Sequence, residues 1–301
     1  MKRTLLWSVC LIALLTISSG CTKKEKPNEQ QVFTMGFNPP ENAEVVQTNA
    51  DALAKVLEEK TGYKFKTFIA TDYTALVEAL RSHRVDFAWL APFSYVQAEK
   101  LADAEVLLKA VRHGTPYYFS AIIVRADSPY KTVEDLKGQT IAWVDPSSSS
   151  GHIFPKAALM EKGINPDTFF SKQIFAGSHD ALLLSILNGT TTAGATFSND
   201  EKGDTGAWTQ LLKGDDTKKI RPIFVTKPIP GDTLSTSKYF REHNPEVVKK
   251  VTETLVSFKD DPKGQELLKN LYRIDYLTEA TSQDYEPVRA AARLLQVAVD
   301  K

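Results

Sequence analysis

The chain has 301 residues, of which 37 are basic and 37 are acidic, so its formal net charge is zero. A neutral chain without a basic patch or tail is not typical of a nucleic-acid-binding protein, and we expect no nucleic-acid partner. Its length is enough for two lobes of ordinary domain size, and 42% of its residues are hydrophobic, enough for a buried core.

The first twenty residues have the pattern of a signal peptide. Two basic residues precede an apolar run at 5–17, and small residues at 18–20 then lead to Cys21. The apolar run is too short for a comfortable membrane span. The end of this segment resembles a bacterial lipobox, which predicts lipid attachment at Cys21. Because Ser18 stands where a lipobox usually has leucine, ordinary secretion and cleavage is the alternative.

Residues 21–31 are polar and charged without apolar periodicity, and we interpret them as a flexible tether. Cys10 is the second of the two cysteines and lies in the signal segment, so the mature chain has no internal disulfide. We therefore expect a lipid-anchored protein on the extracytoplasmic face of the cell envelope. Its contact with the membrane is expected to be through the anchor only.

Strand and helix patterns alternate along the rest of the chain. Strands are predicted at 32–37, 64–69, 85–90, 106–111, 121–124, 141–144, 169–175, 193–197 and 220–225. Helices are predicted at 44–60, after 71–72, after 91, and at 154–162, 181–187, 245–259, 262–271 and 282–299, with a rigid turn at 228–232. This alternation predicts an α/β fold with largely parallel sheets.

Four predicted helices begin directly after a strand, at 71–73, 91–94, 147–152 and 177–180. Ligands of α/β folds bind beyond the carboxyl ends of the strands, where such turns lie. Two of the turns belong to each half of the chain. If the halves are separate lobes, the helix N-termini can face one another across a cleft.

The third turn is the densest, with the sequence Asp-Pro-Ser-Ser-Ser-Ser-Gly at 145–151. Hydroxyl groups and free backbone N–H groups at a helix start converge on one point, where the helix dipole favours an anion. A tetrahedral oxyanion suits this point best, and a flexible serine linker is the alternative. Because the chain is near neutral, such a site must depend on local dipoles and hydrogen bonds.

The sequence has no catalytic or metal-binding signature. A serine hydrolase would be the enzyme alternative, but there is no Gly-x-Ser-x-Gly elbow, and Asp180 is badly placed to orient the ring of its neighbour His179. No cluster has metal-ligand spacing, and no Gly-x-x-x-x-Gly-Lys loop is present. We therefore expect no enzymatic activity, no metal and no cofactor.

Six motifs, in order, resemble those of the phosphate/phosphite/phosphonate-binding proteins of ABC importers. They are T-D-Y-T-A-L-V-E-A-L (71–80), V-D-F-A-W-L-A-P-F-S-Y (85–95), Y-Y-F-S-A-I-I-V (117–124), D-L-K-G-Q-T-I-A-W-V-D-P-S-S-S-S-G (135–151), G-S-H-D-A-L-L-L (177–184) and P-I-P-G-D (228–232). The resemblance covers roughly residues 33–295. It implies the type II binding-protein fold, in which two α/β lobes joined by two crossovers close on a ligand.

The resemblance also implies where the lobes divide. Lobe 1 is expected at 32–120 together with 229–301, and lobe 2 at 121–228. The crossovers are expected near 120–124 and 225–229. Trp89 and Trp143 are expected in the core, and whether His152 approaches the ligand is left open.

The family's ligand-binding residues match positions of this chain. The hydroxyl triplet that holds the phosphono group matches Ser148, Ser149 and Ser150, with serine in place of the usual central threonine. The remaining donors match His179 at a helix start and two tyrosines of the first lobe, Tyr73 and Tyr118. These matches imply that the six side chains surround a phosphorus oxyanion.

Two further positions bear on the ligand's substituent. Asp232 matches an acid that some members use for a ligand's amino group, but Asn199 stands where those members have a second acid. This departure favours a small ligand without an amine, such as phosphite or methylphosphonate, and phosphate is expected to be excluded by shape. Thr192 also departs from a common aspartate, with no role assigned.

The implied function is that of a monomeric solute-binding lipoprotein. It would capture a small phosphorus oxyanion, which is phosphite, methylphosphonate or another phosphonate, and deliver it to the permease and ATPase subunits of an ABC importer. A ligand-sensing lipoprotein of the same fold, which would signal to a membrane receptor, is the alternative that the sequence does not separate.

Overall fold

The computed structural model describes residues 31–297. The predicted signal segment, the lipid site at Cys21 and the tether up to residue 30 lie outside the described residues. Among residues 31–297, no helix combines the length and the apolar character needed to cross a membrane.

The elements follow the predicted alternation over most of the described chain. The strands are β1 (Val32–Phe37), β2 (Lys64–Ile69), β3 (Phe87–Leu90), β4 (Ala104–Val111), β5 (Tyr117–Arg125), β6 (Thr140–Trp143), β7 (Lys172–Phe175), β8 (Ala193–Ser198), β9 (Ile220–Val225), β10 (Ile229–Pro230), β11 (Thr233–Ser237) and β12 (Tyr276–Glu279). The helices are α1 (Ala43–Thr61), α2 (Tyr73–Arg81), α3 (Pro92–Leu101), α4 (Phe154–Glu161), α5 (Pro166–Phe169), α6 (His179–Leu187), α7 (Ala207–Gln210), α8 (Lys238–His243), α9 (Pro245–Ser257), α10 (Pro262–Tyr272) and α11 (Glu286–Leu294).

The first sheet has the strand order β12-β4-β11-β3-β1-β2. Strands β1, β2 and β3 pair in parallel, whereas β11 lies antiparallel between β3 and β4. The prediction missed β11 because only one of its five residues, Leu234, is apolar, yet all five are buried. Its hydroxyls are satisfied by long-range bonds, such as the one that Thr236 Oγ1 donates to the carbonyl of Asp86 at 2.6 Å.

The second sheet has the order β10-β5-β8-β6-β7, and β9 also pairs with β5. Strands β6, β7 and β8 pair in parallel, and β5 pairs antiparallel with β8, β9 and β10. Both sheets are therefore mixed, and the prediction of largely parallel sheets is wrong. Every antiparallel pair includes a strand that flanks one of the two direct connections between the sheets, which are β4, β5, β10 and β11.

The chain passes between the sheets at 112–116 and at 231–232. The predicted boundary at 120/121 falls inside β5, because Tyr117 and Tyr118 already pair with β10 in the second sheet. The predicted boundary at 228/229 falls just before β10, although β10 also belongs to the second sheet through its pairing with β5. We therefore propose that lobe 1 comprises 32–111 with 233–297 and that lobe 2 comprises 117–230, with α11 packed against both α3 and α4.

Gly231 in the second connection is closely surrounded. A Cβ atom at this position would lie 2.2 Å from the carbonyl oxygen of Ala110. Its N–H donates to Pro116 at 2.9 Å, which ties the two connections together. Only glycine fits where the connections run this close to β4.

Candidate functional site

A cavity of about 80 Å³ lies where the helix-opening turns of the two lobes meet. All eight positions predicted to contact a ligand line it: Tyr73, Tyr118, Ser148, Ser149, Ser150, His179, Asn199 and Asp232. Pockets for drug-sized ligands usually measure roughly 300–1,000 Å³. The cavity therefore suits a ligand of only a few heavy atoms.

Helices from both lobes begin at the cavity. Helix α2 begins at Tyr73, α3 follows Ala91, α6 begins at His179, and a π-helical turn at Ser149–Ile153 opens α4. Each of these starts has N–H groups without an intrahelical partner and carries the positive end of a helix dipole. Their convergence favours a bound anion without any excess of basic side chains.

The serine segment is an ordered, buried turn, so the alternative of a flexible serine linker is wrong. The N–H of Gly151 donates to Ser148 Oγ at 3.0 Å, and Ser120 Oγ donates to the carbonyl of Ser150 at 2.6 Å. From the other lobe, the N–H of Phe93 donates to Ser149 Oγ at 2.8 Å. The Ser148 and Ser149 hydroxyls each accept one bond in this way and keep their own proton to donate.

Gly151 is required by the packing of this turn. A Cβ atom at this position would lie 2.4 Å from Cβ of Val144 and 2.8 Å from Ser148 Oγ. The turn therefore lies against the end of β6, whose last buried residues precede the serine segment. The sequence motif places a glycine at the one position where the helix start meets the strand.

Two tyrosines reach the cavity, one from a helix and one from a strand. Tyr73 opens α2, next to the first sheet, whereas Tyr118, predicted in lobe 1, belongs to β5 of the second sheet. Burial raises the pKa of both phenols, and nearby carboxylates raise these pKa values further. Both hydroxyls therefore keep their proton at neutral pH and can donate it to an anion.

His179 is buried and anchored from two sides. Its Nδ1 lies 2.6 Å from Thr196 Oγ1, and its backbone N–H donates to the carbonyl of Pro40 at 3.0 Å. Burial lowers the pKa of His179 to about 4, with Asp180 opposing and Arg273 adding to the shift. The ring is therefore neutral at pH 7, and in the tautomer in which Thr196 donates to Nδ1, the Nε2–H is free to donate.

This burial predicts an acid-dependent loss of stability. The pKa of His179 lies below that of an unfolded histidine, so between pH 6.5 and 4 the unfolded chain binds the additional proton. We expect the free energy of unfolding to fall as the pH drops through this window. The His179→Gln variant should show a shallower fall, measured by urea unfolding at pH 7, 6 and 5. The exposed His243 is the matched control, and a slope unchanged by His179→Gln would contradict the prediction.

Asp232 lines the cavity but is already paired. Its Oδ2 accepts a bond from Arg112 Nη2 at 2.7 Å. Asn199 also lines the cavity, and its Nδ2 donates to Thr205 Oγ1 at 3.1 Å. Asp200 does not line the cavity, since its carboxylate holds its own turn through the N–H of Thr205. Of these two neighbouring residues, Asn199 lines the cavity and Asp200 does not. The geometry therefore favours Asn199 as the position that corresponds to the second acid of other family members.

Several lining residues were missed by the sequence argument. Asn38 follows β1 and Arg112 follows β4, so the rule of strand carboxyl ends could have found both. Glu41, Tyr272 and Arg273 come from distant parts of lobe 1, and no local signal marks them.

The structure also places Trp89, His152 and Thr192. Trp89 is buried against Phe37 as predicted, but it also lines the cavity. Within the described residues its indole Nε1 has no hydrogen-bond partner. His152 packs on Trp143 and does not line the cavity. Thr192 lies away from the cavity, where its N–H donates to Thr140 Oγ1 at 2.9 Å.

Two α/β lobes around a small, donor-rich cavity are the architecture of a bilobed substrate-binding protein. The model of one family, described as the phosphonate periplasmic substrate-binding protein of ABC transporters, matches residues 35–285. The chain belongs to this family. Its members are transport proteins and not enzymes, so the serine-hydrolase alternative is wrong and the resemblance seen in the sequence is confirmed. A periplasmic family also implies a location outside the cytoplasm.

Individual relatives agree with this assignment. The chain is 30% identical over 259 residues to a phosphate-import protein of Mycolicibacterium smegmatis, covering 81% of this chain and 78% of that protein. It is 24% identical to the phosphonates-binding periplasmic protein of Escherichia coli, with 90% and 79% covered. In fold, it matches the PhnD1 protein of Prochlorococcus marinus in complex with methylphosphonate, with a TM-score of 0.77, 20% identity, and 88% and 98% of the two chains covered.

Proposed function

We propose that this protein captures a small phosphorus oxyanion between its lobes and delivers it to the permease and ATPase of an ABC importer. The observation that carries this proposal is the set of hydroxyl donors around one cavity of about 80 Å³. Neutral donors at helix starts bind a tetrahedral oxyanion without an excess of basic side chains.

In this proposal, Ser148, Ser149 and Ser150 hold the oxyanion at the start of the π-helical turn. Tyr73 and Tyr118 donate their hydroxyl protons, and the neutral His179 donates from Nε2. The donors come from both lobes, so the complete set of bonds forms only when the lobes are closed. Ligand binding therefore stabilises the closed form, which is the form that docks on the permease.

Direct bonds between the lobes support a closure mechanism. Ser94 Oγ donates to the carbonyl of Ser147 at 3.4 Å, and the Phe93 and His179 N–H groups each bond across the cleft. Each bond joins a helix start to a turn of the opposite lobe. Opening the cleft would break these bonds and expose the donors to water at the same time.

The candidate ligands are phosphite, methylphosphonate, phosphate and other small phosphonates. The sequence argument would have excluded phosphate by shape, but a relative at 30% identity is named for phosphate import. We therefore include phosphate. Calorimetric titration of the mature chain with these ligands and with sulfate tests the proposal. Submillimolar binding of at least one phosphorus oxyanion is expected, and no binding of any of them would contradict it.

We further propose that the protein is held at the cell envelope as a monomer by a lipid on Cys21. The support is the sequence pattern at 1–21 and the absence of any other cysteine from the mature chain. Mass spectrometry of the membrane fraction should find the lipid on wild-type protein, and Cys21→Ser should release the protein. A membrane-bound Cys21→Ser protein would contradict this assignment.

A further inference from the structure

Four charged side chains line the cavity in the described part of the chain, besides the neutral His179. They are Glu41, Arg112, Asp232 and Arg273. Each carboxylate is already bonded to one of the arginines. The cavity wall therefore has no net charge, and both of its carboxylates are already paired with a cation.

Arg112 is held firmly against Asp232. Its Nη2 donates to Asp232 Oδ2 at 2.7 Å, and its Nε donates to the carbonyl of Tyr272 at 2.9 Å. Its side chain is 15% exposed, so the guanidinium has little room to turn away. Two bonds in fixed directions hold the planar group in one orientation.

A second ion pair, Arg273 with Glu41, also lines the cavity. Arg273 donates to Glu41 through both Nη atoms, each at 3.0 Å, in a bidentate arrangement. The side chain of Glu41 is only 12% exposed. Bidentate pairs of this kind are among the stronger charge-assisted bonds, so this carboxylate is also committed.

We infer that Arg112 is a specificity-determining residue that restricts the site to phosphorus oxyanions with small, uncharged substituents. This inference rests on the proposed function. A ligand ammonium group would need a carboxylate partner when it is taken out of water. At Asp232 it would meet a carboxylate whose charge Arg112 already balances, and the guanidinium bonded to Oδ2 would repel it. Asn199, which is neutral, offers no substitute.

The test compares methylphosphonate with 2-aminoethylphosphonate by calorimetry, using the mature wild-type chain and Arg112→Met. Methionine keeps much of the arginine stem and removes its charge, which frees Asp232. We expect the wild type to prefer methylphosphonate at least 100-fold. In Arg112→Met we expect that preference to shrink at least 10-fold, through tighter binding of the amine.

Two further variants make the result specific. Arg112→Met combined with Asp232→Asn should restore the wild-type preference, since no carboxylate is then free. Arg289→Met removes an arginine whose side chain is 16% exposed and paired with Glu99, away from the cavity, and should change nothing. If Arg112→Met does not fold, Arg112→Gln replaces it in the same comparison.

The outcomes separate this inference from the function on which it rests. An unchanged preference in a folded Arg112 variant overturns the inference, and so does wild-type protein that binds both ligands equally well. Either result leaves the oxyanion function standing. If the wild type binds neither these two ligands nor phosphite or phosphate, the proposed function fails and the inference fails with it.

Discussion

Replacing both Ser149 and His179 by alanine should weaken binding of the oxyanion by about 3–6 kcal/mol, which is roughly a 150- to 25,000-fold loss of affinity. Each side chain can offer one donor to a charged acceptor, and such bonds are typically worth about 1.5–3 kcal/mol. Both lie in a buried cavity, where water does not replace the missing donor. Calorimetric titration with the tightest-binding phosphorus oxyanion measures the loss.

The single variants should each show about half of this loss. Ser149 also accepts the N–H of Phe93 from the other lobe, so its removal additionally weakens closure. Because both residues surround the same ligand, the losses of binding free energy in the two single variants need not add up to the loss in the double variant. The difference measures the coupling between Ser149 and His179. A matched control is the double variant Ser257→Ala with His243→Ala, two exposed positions away from the cavity. Wild-type affinity in the Ser149 and His179 double variant would refute the proposed site.

Replacing Gly151 by alanine should abolish binding and destabilise lobe 2. The new Cβ would lie 2.4 Å from Cβ of Val144, well inside van der Waals contact, so the turn has to move. Overpacking of this kind costs about 1–3 kcal/mol, and moving the turn displaces Ser148, Ser149 and Ser150 together. Urea unfolding and calorimetric titration of the same sample measure the two effects.

Gly163 provides the control that separates stability from binding. Its φ is +77°, and no atom lies within 4 Å of the position of an added Cβ. Gly163→Ala should therefore cost about 1–2 kcal/mol through the left-handed backbone alone. Its affinity should equal that of the wild type. If Gly151→Ala kept its affinity while losing the same stability as Gly163→Ala, the turn would not be the ligand-binding element.

The elements with local signals were predicted correctly from the sequence. Apolar periodicity marked α1, and the capping residues Asp72 and Ser178 marked the starts of α2 and α6. Each signal depends on residues within one or two turns of chain, so it is readable without the fold. The same holds for the serine turn, whose hydroxyl residues and glycine stand next to one another in sequence.

The strands β10, β11 and β12 were not predicted, because their pairing rather than their composition makes them strands. β11 consists mostly of residues with hydroxyl side chains, a composition typical of a loop. It is a strand because it is buried between β3 and β4, which supply its backbone hydrogen-bond partners. The proposed lobe boundaries differ from the predicted ones for the same reason. β5 begins at Tyr117 only because β10, more than a hundred residues later, pairs with it.

By itself, the sequence determined the α/β alternation and the four helix starts, through capping and periodicity, which are local. Its resemblance to a known family implied eight of the residues that line the cavity. Only the tertiary structure decided the charge state of the site. Arg112 meets Asp232 across 120 positions of sequence, and burial among distant residues keeps His179 neutral. Pairing and desolvation depend on what the fold places nearby, and neither is encoded by neighbours along the chain.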